Sequence, residues 1–354
     1  MIGAADGAGT VVMDVKGALT SSDATITVAY GRLANGNGTL GSIVASAFAT
    51  RVASGATLDL STFSSTIRNL QDTTPGSGGT VSWTSNPLYV YGGSFSGQFE
   101  SLLGGELVKD GADTLLLNGD NYAFSGTTTV ANGKLIVGDV NNSSAALGGN
   151  ITVLSGAILG GYGSVGETTV QSGGILSPGN SIGILTVDGN LTLQPGSALE
   201  VEIAANGASN RRSDIVGVTG MATISGSTVS VTAIDPQTSY QSGQNYTILH
   251  ADSGINGTFG SVISRSAFLD LSVNYSANDV LFRDRRQTRS HRSGTIQPGH
   301  DRTRDTWPRK ALPCPLHNCG PDPQSAGNRR RSGYPGADGF VTGLVQYPVD
   351  AVGR

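Results

Sequence analysis

The chain has 354 residues, of which 52 are glycine, 14% are charged and 6% are aromatic, with a formal net charge of −4. A composition poor in lysine and rich in Ser, Thr, Val and Gly argues against a helical fold and for an all-β one. No run of about eighteen apolar residues occurs, so no helix is expected to span a membrane.

In chain order, residues 1–51 are weakly patterned, with short β-like pieces at Val11–Val15 and Thr25–Tyr30. They read as irregular β or partial rungs. Met1–Thr20 lacks both a basic segment and an apolar segment, so no secretory signal is expected and the chain reads as a fragment. At Val52 a corner pattern begins, Val52, Gly55 and Leu58, and a loop follows at Pro75–Gly79. Trp83, Leu88, Val90, Phe95 and Phe99 are then expected to pack inside.

From Leu107 to Val201 the corner pattern recurs. Val130, Val153, Val170 and Leu193 are each followed three residues later by Gly133, Gly156, Gly173 and Gly196, and then by Leu135, Ile158, Ile175 and Ala198. The steps are 23, 17 and 23 residues. Between corners, apolar residues alternate with Thr, Ser and Asn, the period of two that belongs to strands. Glycine at a corner supplies the positive φ that a tight turn needs. A period near twenty residues with glycine-rich turns reads as a stacked β-solenoid, in which the four corner residues should form one inward column.

Charge divides the chain near Phe282. Residues 283–354 hold 13 of the 22 Lys and Arg, both cysteines, three of the four histidines and eight of the thirteen prolines. Residues 1–282 contain no cysteine, so sheet stacking rather than disulfides must stabilise them.

Several segments resemble a known family. Gly55-Ala-Thr-Leu-Asp-Leu60, Leu107-Val-Lys-Asp-Gly111, Asp113-Thr-Leu-Leu-Leu-Asn-Gly-Asp-Asn-Tyr122, Ser125–Val130 and Asn132-Gly-Lys-Leu135 are similar to the autotransporter-associated β-strand repeat. Leu176–Gly183, Leu185–Val187 and Gly189–Leu193 resemble the closing coils of an autotransporter passenger domain. Ser213–Gly220, Tyr246–Leu249 and Gly257–Phe259 resemble the junction before the translocator. The resemblance implies a right-handed parallel β-helix over residues 52–245, a capping segment over 246–282, and presentation at the surface of a Gram-negative cell through a C-terminal outer-membrane barrel. Stacked strands about 4.8 Å apart would make a rod on the order of 60 Å long. Tyr246, Phe259, Phe268, Tyr275 and Phe282 would cap its last open edge.

Motifs with chemical potential have simpler readings. Gly161, Gly163 and Gly166 spell G-x-G-x-x-G, but a dinucleotide fingerprint needs a following helix, and Thr168, Val170 and Ile175 continue a β pattern. Gly160–Gly163 begins like a calcium-binding nonapeptide, yet Val165 stands where an aspartate ligand should be. His250 is the one histidine before residue 283 and reads as a strand-end residue. Lys109, Asp110, Asp113, Asp120 and Lys134 come closest to the acidic and basic face of a polysaccharide-active β-helix, although aspartates beside glycine typically cap their own turns. Arg211–Arg212 reads as a solvated loop. Cys314, His317 and Cys319 fall short of a four-ligand zinc site. Arg283, Arg285, Arg286, Arg289 and Arg292 begin a basic tail without aromatic interleaving, read as disordered rather than as a binder of nucleic acid. Residues 283–354 are expected to be a frame-shifted reading, since a one-nucleotide shift of codons possible for Gly327–Ser332 permits Ala-Ile-Ala-Asp-Ala-Leu.

The expected protein is a monomeric, non-enzymatic passenger with no catalytic, cofactor or metal residues. Its expected role is adhesion, through a host-cell or bacterial surface receptor. It meets a membrane only through a barrel that this chain lacks. A polysaccharide-active enzyme, the stem of a protease-bearing passenger, and an inert spacer are the alternatives.

Overall fold

The computed structural model describes residues 10–13, 24–35, 39–61, 64–101, 103–205, 212–241 and 243–285. These residues are mostly strand, and their strands pair parallel over long ladders. In the first ladder Val90, Lys109, Val130, Val153, Val170 and Leu193 are successive partners, so the four corner residues do form one column, and all six side chains are buried. A second ladder aligns Leu115, Leu135, Leu159, Leu176, Leu199 and Val229 in the same way. A third aligns Leu147, Val165, Val187, Val218 and Ala251. Ser164–Val170 and Ile184–Leu193 bend, each giving one half to the third ladder and the other to the first.

The alternation of apolar and polar residues explains this register. A slip of one residue would turn every inward side chain outward, and burying each Val or Leu contributes about 1.5–3 kcal/mol. On the outward side of the first ladder, Thr129, Thr152, Thr169, Thr192 and Thr223 are successive partners. β-branched residues suit such a half-buried pleat. The corner glycines Gly133, Gly156, Gly173 and Gly196 have φ between 66° and 84°, which side-chain-bearing residues adopt at a cost.

Three features differ from the sequence reading. The Val52–Gly55–Leu58 corner is a different corner from the later four. Val52 belongs with Asp72, in strands that lead to the second ladder, and Leu58 pairs with Val81 and on to Phe99 in a separate parallel sheet. The same apolar-to-glycine turn serves wherever two faces meet, so the pattern does not say which faces those are. The second feature is a helix, Thr39–Ser46, where partial rungs were expected. Its Leu40, Ile43 and Val44, followed by Ala47, are buried, and the Arg68 Nε donates to the Ala45 carbonyl at 2.9 Å. Those residues recur at helical spacing. Third, the strand Asp279–Asp284 continues past Phe282, and Arg285 pairs with Asp270 at 3.2 Å. The frame-shift reading, Arg286, Arg289, Arg292, Cys314, His317 and Cys319 lie outside the described residues, as does Arg211.

The aromatic residues behave as expected of core. Trp83 meets Phe99 edge-on with centroids 5.8 Å apart and Phe124 at 5.6 Å, while Phe95 and Phe99 lie 5.5 Å apart. At the other end the pairing sense changes. Asn245–Ala251 and Leu271–Tyr275 both pair antiparallel with Asp279–Asp284. Tyr246 and Phe282 are buried partners there, Phe268 stacks on Tyr240 at 5.6 Å, and the Tyr275 hydroxyl accepts from the Phe259 amide at 3.0 Å.

Candidate functional site

The residues that came closest to a catalytic face do not converge. Lys109 is wholly buried in the first-ladder column between Val90 and Val130. Its ammonium donates to the carbonyls of Asn132 at 2.8 Å, Gly111 at 2.9 Å and Asp110 at 3.3 Å. Burial pushes its pKa below the ordinary lysine value. Counting one period back from Val130 would have placed it inside. Asp110 takes the Asn132 amide at 2.6 Å and the Gly111 N–H at 2.8 Å, and these bonds, the Asn132 one first, hold its carboxyl below the ordinary range. Asp120 accepts the Tyr122 N–H at 3.1 Å. Both are turn caps. Asp113 is exposed, and Lys134 is half-buried on the second ladder.

His250 is an outward residue, 47% exposed, held between two carboxylates: Nδ1 lies 2.7 Å from Asp279 and Nε2 3.2 Å from Asp252. The Asp279 hydrogen bond is the main cause that raises its pKa. Its ring nitrogens face these two carboxylates rather than a serine or cysteine side chain. Gly161 lies in the strand Ile158–Gly161, Gly166 in the strand Ser164–Val170, and Gly163 between them, so strand follows where a nucleotide fingerprint needs a helix. A Cβ on Gly161 would strike the Val137 carbonyl, so this glycine permits close packing of successive strands. Val165 is buried in the third ladder. Arg212 is exposed.

Asp214 lies in the junction-like segment Ser213–Gly220, where the sequence assigned it no role. Its side chain is buried, with one oxygen accepting the Gly183 N–H at 2.8 Å and the other the Glu202 N–H at 2.7 Å. Burial pushes its pKa up to about 7, against the lowering effect of those two bonds. Beside it, the Ser213 hydroxyl donates to the Thr247 carbonyl at 2.6 Å. This pair ties the Gly183 turn and two later strands together, a structural role. The signal in sequence was an aspartate placed directly before the apolar-alternating strand Ile215–Val218.

The most site-like feature is a groove of about 440 Å³ along the corner between the third and first ladders. Successive turns there shorten. Tyr122–Gly126 is a loop, Gly148–Gly149 is a two-residue turn, and at Gly166–Glu167 and Asp188–Asn190 the strand runs through with an irregularity. The loop folds Phe124 into the core and leaves Tyr122 65% exposed. Cβ atoms on Gly148, Gly149 or Gly166 would strike backbone carbonyls of neighbouring rungs, so these glycines permit close packing along the corner. Glu167 and Asp188 stand along it. Asn190 donates to Glu167 at 3.1 Å and the Thr219 hydroxyl lies 3.1 Å from Asp188. A hydrogen bond with Asp188 is the first cause that raises the Tyr122 phenol pKa. No lysine or arginine lines the groove. Among the described residues no group of His, Cys, Asp and Glu could hold a metal.

Comparison with known protein families and with curated proteins finds no match for this chain.

Proposed function

We propose that residues 52–245 form a right-handed parallel β-helix of the autotransporter-passenger kind, closed by a capping segment over 246–282, presented at a cell surface and acting in adhesion without chemistry of its own. The observation that carries this reading is the set of parallel ladders, each with its apolar residues turned inward, that ends in the antiparallel hairpin 271–284 paired with Asn245–Ala251. A solenoid of this kind is stabilised by nearest-neighbour stacking. The hairpin supports the capping role, since it covers an edge that would otherwise pair with other chains. Right-handed connection is the near-universal sense for parallel crossovers. The paired state of His250 and the inward Lys109 support a role in interaction rather than catalysis.

The test is binding of the purified chain to cultured epithelial cells and to bacterial cells, read by flow cytometry. Adhesion predicts saturable binding to one of these surfaces. Binding to neither, with the fold intact by circular dichroism, would leave the spacer role in its place, and turnover of a polysaccharide would replace both with an enzyme.

A further inference from the structure

We propose that the groove between Tyr122 and Asp188 is a binding site for a neutral oligosaccharide. The proposal deepens the adhesion reading by naming a ligand class and a place, and rests on that reading only for its biological role. Four observations carry it. The volume, about 440 Å³, lies within the roughly 300–1,000 Å³ of small-ligand sites. Tyr122 is 65% exposed at one end, where an aromatic with an apolar body and a polar tip can lie against the C–H face of a pyranose. Much of the lining is small residues, Ala123, Ser125, Ser164 and four glycines, which leave room for a flat ring. Finally, the carboxylates of Glu167 and Asp188 already take neutral partners, the amide of Asn190 and the hydroxyls of Thr219 and Tyr122. Neutral hydroxyl donors are what a sugar supplies, and a charged acceptor makes the stronger kind of hydrogen bond.

Charge narrows the class. With Glu167 and Asp188 along the groove and no Lys or Arg lining it, a sialylated or sulfated glycan would meet two like charges and no counter-charge. A basic peptide fits the charge but leaves the small-residue lining and the exposed ring without a purpose.

The experiment uses the full chain and a panel of glucose-, galactose-, mannose- and N-acetylglucosamine-based trisaccharides, with sialyllactose and a tetralysine peptide as controls, followed by saturation-transfer NMR and calorimetry. At least one neutral trisaccharide should bind, with transfer to one face of a ring. Tyr122→Ala should weaken it tenfold or more, Tyr122→Phe less than threefold, and Asp188→Asn about tenfold, while sialyllactose binds at least tenfold more weakly. Circular dichroism on each variant separates loss of binding from loss of fold. The proposal is overturned if no neutral trisaccharide binds, if Tyr122→Ala binds as the parent does, or if tetralysine binds and the sugars do not. Cell binding that survives Tyr122→Ala would sink the groove and leave adhesion standing. Sugar binding without cell binding would do the reverse.

Discussion

Residues 107–201 and residues 245–285 are both built from strands, yet they solve opposite problems. In the first region strands meet in the same direction, so the same glycine corner and the same alternation of inward apolar residues serve every repeat. In the second, strands still pair parallel to earlier ones on one side, but the chain then reverses, Asp279–Asp284 pairs antiparallel with two strands, and Tyr246, Phe282 and ion pairs such as Arg285 with Asp270 hold the end. A repeat can be extended without limit and must therefore be stopped; the stop has to differ from what it stops. The repeated region depends on uniformity and the end depends on singular contacts.

That contrast can be broken by mutation. The largest effect is expected from Val153→Asp, which places an unpaired charge in the middle of the first-ladder column. It should cost several kcal/mol and abolish the cooperative thermal transition, or lower it steeply, in calorimetry. Phe282→Ala should cost about 3 kcal/mol, but hydrogen exchange should show the loss concentrated in residues 215–284, with the amides of 127–170 still protected. Equal loss across both regions would show that the two are not separable. Lys109→Met keeps the stem and removes the ammonium, leaving the carbonyls of Asn132 and Gly111 without a donor. A cost of about 1–3 kcal/mol in chemical denaturation is expected, whereas an unchanged midpoint would make this lysine a tolerated accident of the column.

A further effect is that of pH. Asp214 has its folded pKa raised from 3.8 to about 7, so its contribution is greatest below pH 4 and declines as pH rises towards 7. His250 is raised from 6.5, so its contribution is present below 6.5 and is lost as pH climbs through the folded value. Solvent exposure keeps that term small. Asp110 and Asp139, both lowered from 3.8, contribute above 3.8 and lose it as pH falls through their folded values. The melting temperature should therefore fall from about pH 5 to pH 8, and Asp214→Asn should flatten that slope. A melting temperature that rises over this interval would contradict the assignment.

The repeated region was legible because a period of two within strands and a glycine at each corner are local signals. Val130, Val153, Val170 and Leu193 could be aligned from spacing alone. What spacing could not give was which corner a pattern occupies: the same pattern at Val52 marks a different corner. Lys109 was read by its chemistry as a surface residue, although its position in the period put it inside. The helix Thr39–Ser46 was missed in a segment with little strand alternation, where its apolar residues recur three and four apart. The groove was not legible at all, because it arises from differing turn lengths at one corner of successive strands. Tyr122, Gly149, Glu167 and Asp188 are far apart in sequence, and only the ladder register brings them together.

The central claim is that register, and the outward threonines measure it. Thr129 and Thr223 are separated by four successive pairings through Thr152, Thr169 and Thr192. At about 4.8 Å per strand, nitroxide labels on Thr129→Cys and Thr223→Cys should give one narrow distance near about 19 Å by pulsed electron resonance. A broad distribution, or a distance beyond about 30 Å, would mean that these strands do not stack in register and would contradict the account.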